Sequence, residues 1–239
     1  MKLILKFGGT SLASPKDINN VAKTVASFSK DNEIVVVCSA VDGVTDDLLL
    51  ISKMIEQRKK DDVTEALNKI IKKHRNLADQ TIKNSAIKKQ LIEKLDGDIS
   101  ELQELIRGLT LLKEVSARSL DYLISFGERL SDDLVSYTLQ DLKKKSTALN
   151  GQEVGIVTDS NFGESRPLMD TTRIRISKTL GSLLSEKIIP VVGGFAGADQ
   201  HGNITTFGRG GSDYTATIIA SCINADEVWL MSDVDGLMT

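Results

Sequence analysis

The chain has 239 residues, 41% of them hydrophobic and 26% charged, with a formal net charge of −3, values that suit one α/β domain with a sizeable core. No segment reaches the roughly 18 uninterrupted apolar residues of a membrane span, and the slight acidity argues against binding nucleic acid by bulk electrostatics, so neither partner is expected. His74 and His201, with Cys38 and Cys222 far apart in apolar runs, leave zinc sites, disulfides and histidine acid–base chemistry poorly supplied.

The first apolar run, residues 3–7, reads as a buried strand. Lys6 restores a charge after three apolar residues, too soon for the core of a signal peptide, so a cytoplasmic location is expected. The strand ends in Lys6-Phe7-Gly8-Gly9-Thr10-Ser11, a cation followed by two residues tolerant of positive φ. Such a loop can turn successive N–H groups toward phosphate oxygens, although a tight turn with Lys6 in solvent explains it as simply. No Gly-x-x-x-x-Gly-Lys-Ser/Thr loop occurs, which excludes the common P-loop. A helix over 15–30 opens on Pro15. A second strand, 34–38, leads into 39–46, whose hydroxyls, Thr45 included, could bind substrate or cap the next helix.

From 46 to 145 there is no proline and almost no glycine, and apolar residues recur at spacings of three and four, as at Leu120, Leu123, Ile124 and Leu134. The spacing predicts several helices packed on or beside the sheet, a helical insertion in the middle of the chain. Its many Lys and Glu residues read as a solvated face. Glu128, in Ser125-Phe126-Gly127-Glu128, falls one turn past Ile124, on or near the inward face. A buried carboxylate is costly alone, so it either pairs with a protein cation or awaits a cationic ligand; pattern leaves both open.

A helix over 171–185 precedes a third strand at 188–192 and a loop, Gly193-Gly194-Phe195-Ala196-Gly197. Another loop, Phe207-Gly208-Arg209-Gly210-Gly211-Ser212-Asp213, opens a helix over 212–224, where free donors and the dipole favour an anion. Ser212 and Asp213 are also good capping residues. Arg209 between glycines could grip a carboxylate with two parallel bonds. A last strand, 228–231, runs into Ser232-Asp233-Val234-Asp235-Gly236, where Asp233 or Asp235 could face Mg²⁺ or nucleotide; Trp229 reads as core. Strands alternating with helices predict an α/β fold, a mostly parallel central sheet sandwiched by helices, as one domain over 1–239.

Four segments together, Lys6-Phe7-Gly8-Gly9-Thr10-Ser11, Phe126-Gly127-Glu128, Gly193-Gly194-Phe195-Ala196-Gly197 and Gly208-Arg209-Gly210-Gly211-Ser212-Asp213, resemble the aspartate kinase signature within the amino acid kinase family. They stand in the family's order across nearly the whole chain. The resemblance implies that Lys6 with the Gly8 and Gly9 backbone holds ATP phosphates, and that Thr45, Glu128, Arg209 and Ser212 form an aspartate pocket. In it Glu128 meets the α-amino group and Arg209 a carboxylate. Lys6 and Asp213 are the implied catalytic residues, and Ser232 and Asp233 contact the nucleotide. It further implies MgATP and L-aspartate as substrates, and 4-phospho-L-aspartate and ADP as products at the start of lysine, threonine and methionine biosynthesis; a homodimer is the default expectation. Two departures stand out: Met238 replaces a tyrosine common near the adenine, and relatives continue past Thr239 with more nucleotide lobe and regulatory ACT domains, so a catalytic domain incomplete at its C-terminus is expected. Another small-acid or UMP kinase of this fold, or a binding module without turnover, are the alternatives.

Overall fold

The computed structural model describes residues 1–231. Strands β1 (Lys2–Phe7), β2 (Glu33–Cys38), β3 (Ser146–Leu149), β4 (Val157–Thr158), β5 (Ile189–Gly193), β6 (Ala196–Asp199), β7 (Ile204–Thr206) and β8 (Glu227–Met231) alternate with helices. The helices are α1 (Pro15–Phe28), α2 (Val44–Glu56), α3 (Lys60–Thr81), α4 (Ser85–Leu112), α5 (Ala117–Asp141), α6 (Gly151–Val154), α7 (Met169–Ser185) and α8 (Gly211–Ile223). Five strands form one sheet in the order β3-β5-β2-β1-β8, every pairing parallel. A smaller sheet, β4-β6-β7, joins a parallel to an antiparallel pair.

The alternation of side chains along a strand splits the core into two layers. Leu3, Leu5 and Phe7 of β1, with Ile34, Val36 and Cys38 of β2, pack against α1 to α5. Ile4, Val35 and Val37 face α7 and α8 instead. Both faces are covered, which is what a parallel sheet requires. Lys6 belongs to the same set as Ile4, so its side chain leaves the end of β1 on the α8 side.

The long glycine-poor middle resolves into α2, α3, α4 and α5, stacked on one face of the sheet. Residue 127 is glycine because α5 crosses the end of β2 closely: a Cβ there would lie 2.9 Å from Ala40 Cβ. The four strands expected from apolar runs are present, and α1 begins as expected, with Pro15 in its first turn behind the N-cap Ser14. Four others, β3, β4, β6 and β7, had no such run. They are two to four residues long and are held by their neighbours rather than by propensity. The expected loop at 193–197 is accordingly corrected: Gly193 ends β5, and Ala196 and Gly197 already belong to β6.

Candidate active site

At the carboxyl ends of parallel strands, the usual place for ligands in such sheets, lies a cleft of about 660 Å³. It brings together Lys6, Gly9, Thr45, Glu128, Arg209, Ser212 and Asp213, residues from the first strand to the last described helix. Gly8 stands just outside its lining as the cap of a 3₁₀ turn, Gly9–Leu12. Ser232, Asp233, Asp235 and Met238 lie outside the described residues.

Lys6 is not in solvent. Its side chain is only 15% exposed and its ammonium lies 2.7 Å from Asp213 Oδ1, so the α8 carboxylate aims the cation across the strand end. Ser212 and Asp213 are not caps either: the N-cap of α8 is Gly210, with no side-chain cap. Gly208 and Gly210 both take positive φ, 74° and 73°, a conformation that side chains with a Cβ adopt only under strain. The Gly211 N–H donates back to the Gly208 carbonyl at 3.1 Å, and the turn leaves the Ser212 and Asp213 N–H groups of a 13-residue helix open to an anion at its positive end. Exposed Arg209 sits at its tip. Behind it Gly194 lies against Ser212, at whose Cβ a Gly194 side chain would arrive within 2.7 Å.

Thr45 stands in the first turn of α2 behind the N-cap Gly43 and caps nothing, which leaves its hydroxyl to the cleft. Glu128 is 5% exposed; one oxygen accepts the Ala40 N–H at 3.2 Å and the other has no hydrogen-bond partner among the described residues. Burial pushes its carboxyl up to about 8, partly offset by the Ala40 bond. Of the two readings of Glu128, the structure therefore favours a site awaiting a donor. A second cavity, of about 590 Å³, adjoins Glu128 from the side of Tyr122 and Arg129, but contains neither Lys6 nor Arg209 in its walls.

Several buried polar residues were not singled out from the sequence. Asp121, 1% exposed, lines the cleft and accepts three hydrogen bonds of 2.8 Å, from the Gly163 N–H, the Thr206 N–H and the Thr206 hydroxyl. Asp132 and Asp133 are buried farther along α5. Burial holds the Asp132 carboxyl well above its usual range, and Asp133 rises to about 7 by burial against the pull of Lys94. An acidic residue amid an apolar helix face was the available hint, since only a partner in three dimensions makes such a residue affordable.

Sequence comparison matches the amino acid kinase family over residues 1–239. The chain belongs to this family. It is 35% identical over 239 residues to an Arabidopsis thaliana chloroplastic aspartokinase 3 and 30% identical over 239 residues to an aspartokinase of Geobacillus stearothermophilus. Each alignment takes in 99% of this chain but only 41% and 44% of the relative, so the chain spans about two fifths of the length of these curated relatives. Among solved structures, E. coli aspartokinase III in complex with aspartate and ADP superposes with a TM-score of 0.88 at 27% identity, covering 99% of this chain and 50% of that one. The expected fold, an amino acid kinase sheet sandwiched by helices, is thus the one observed. Among the described residues no helix is long and apolar enough to cross a membrane.

Proposed function

We propose that this chain binds MgATP and L-aspartate in the cleft and transfers the γ-phosphoryl group to the side-chain carboxylate, giving 4-phospho-L-aspartate and ADP. The observation that carries the reading is Glu128, a buried carboxylate with one oxygen unsatisfied, in the same cleft as Arg209. A ligand with an ammonium at one end and a carboxylate at the other complements that pair. The aspartate and ADP bound to the E. coli relative support the same assignment.

The chemistry asks little of the protein in proton transfer. A carboxylate with an unperturbed pKa near 3.9 is already ionised at neutral pH, so no general base is needed. What must be overcome is repulsion between two anions. Lys6 and the open Ser212 and Asp213 N–H groups of α8 supply positive charge where the phosphates would lie. Asp213 holds Lys6 in place at 2.7 Å. Mg²⁺ would enter on the nucleotide, neutralising phosphate charge.

ADP release from MgATP, with L-aspartate, L-glutamate, N-acetyl-L-glutamate and UMP offered separately, tests the assignment. Release with L-aspartate alone is expected. Release with another acceptor would reassign the substrate, and binding of both ligands without release would make the chain a binding module.

A further inference from the structure

Glu128 and Arg209 stand on different elements, so something must hold them at a set distance. Arg209 follows β7 by three residues through Phe207 and Gly208. Its loop turns on two positive-φ glycines and starts from the strand end, with Phe207 donating its N–H to the Phe195 carbonyl at 2.9 Å. Thr206, the last residue of β7, is 1% exposed. Both its N–H and its hydroxyl donate to Asp121 at 2.8 Å.

Asp121 precedes Glu128 by seven residues on α5, two turns or about 10 Å along the axis, on nearly the same helix face. Both line the cleft. The Asp121 carboxylate also takes the Gly163 N–H at 2.8 Å. The loop containing Gly163 is tied back to the same strand end, since the Ser165 N–H and hydroxyl both donate to the Thr206 carbonyl at 2.9 Å. It also backs the arginine loop, for a Cβ on Gly208 would come within 3.1 Å of the Gly163 carbonyl oxygen. Three segments therefore meet at one buried carboxylate.

We infer that Asp121 is a positioning residue that sets substrate selectivity. By fastening the strand end before Arg209 to the helix that carries Glu128, it fixes the span of the amino-acid site and so favours a four-carbon over a five-carbon acidic substrate. The inference rests on the proposed roles of Glu128 and Arg209 at the two ends of the ligand. Without the carboxylate, the Gly163 and Thr206 N–H groups and the Thr206 hydroxyl lose their acceptor, and the arginine loop can withdraw. An error of about 1 Å in such a site costs on the order of 10²-fold, and one methylene is normally discriminated by roughly 10- to 200-fold.

Asp121→Leu keeps roughly the shape but removes both acceptor oxygens, whereas an asparagine could still take both N–H groups on its amide oxygen and donate its NH₂ to the Thr206 hydroxyl; Thr206→Val removes one donor and leaves both backbone bonds. For each variant, kcat/KM with L-aspartate and with L-glutamate would be measured, with ADP affinity by calorimetry and hydrogen exchange at the Gly163 and Thr206 amides. Asp121→Leu is expected to lower kcat/KM for L-aspartate by about 10², chiefly through KM, and to narrow the aspartate-to-glutamate ratio by about tenfold or more. ADP affinity stays unchanged, and both amides exchange faster. Thr206→Val gives a smaller shift of the ratio in the same direction and serves alone if Asp121→Leu does not fold. An unchanged ratio in the variants, with wild-type preference intact, removes the role of Asp121 alone. A wild-type chain that neither binds nor phosphorylates L-aspartate removes the underlying assignment and the selectivity claim with it.

Discussion

Glu128 carries the most pH-sensitive charge in the cleft. Its carboxyl stands at about 8 in the folded chain against 4.5 for the free group, so between those values the folded state holds a proton that the unfolded chain has released. Stability contributed through this group is therefore full below about pH 4.5 and is lost as pH rises toward 8, and Glu128→Gln should remove that decline in denaturant midpoints. An ammonium ligand needs the ionised form. The affinity for L-aspartate should accordingly climb with pH to about 8, by up to tenfold per unit, with proton release at pH 7; calorimetry in buffers of different ionisation enthalpy reads both, and a flat profile would detach Glu128 from the ammonium. Lys6 acts at the other end of the cleft. Because its charge matters most as the phosphoryl group moves, Lys6→Ala is expected to lower turnover by about 10² or more, and unaltered turnover would take Lys6 out of the mechanism.

Single elements converge on the site only because their packing permits it. Helix α5 brings Asp121 and Glu128 to the sheet by crossing the end of β2 at Gly127, where a Cβ would meet Ala40 Cβ at 2.9 Å. Gly127→Ala must push helix and strand apart, and a destabilisation of about 1–3 kcal/mol is expected, visible as a lower denaturant midpoint with unchanged slope. Since Ala40 donates to Glu128, weakened L-aspartate binding should accompany it. Helix α8 shows the converse. Its start is shaped by two glycines rather than by a capping side chain, so the Ser212 and Asp213 N–H groups remain free for a ligand at some cost in helix stability.

At the scale of the whole molecule the cleft is walled by both layers, α2 and α5 from one and α8 from the other, and a ligand that fills it fastens them together. Occupancy of one site at about 100 times Kd adds roughly 2.7 kcal/mol, which for a chain of this size raises the melting temperature by roughly 5–10 °C. Scanning calorimetry with ADP and L-aspartate, singly and together, should show this in the parent chain. Lys6→Ala should blunt the ADP increment and Glu128→Gln the L-aspartate increment; equal loss of both in either variant would place the two ligands elsewhere.

The sequence by itself determined the alternation of strands and helices, the all-helical middle and the loops that would carry chemistry. Buried β-branched runs and glycines at strand ends are local signals, and they point to the same residues that the cleft collects. Tertiary structure alone decided the rest. The strands β3, β4, β6 and β7 exist because neighbours offer hydrogen bonds, and no run of residues announces that. Whether Glu128 would find a protein cation, whether Lys6 would reach Asp213, and which three donors would surround Asp121 depend on distances between residues far apart in the chain. Burial and partnership, the two quantities that turn an acidic side chain into a binding group, are properties of the fold.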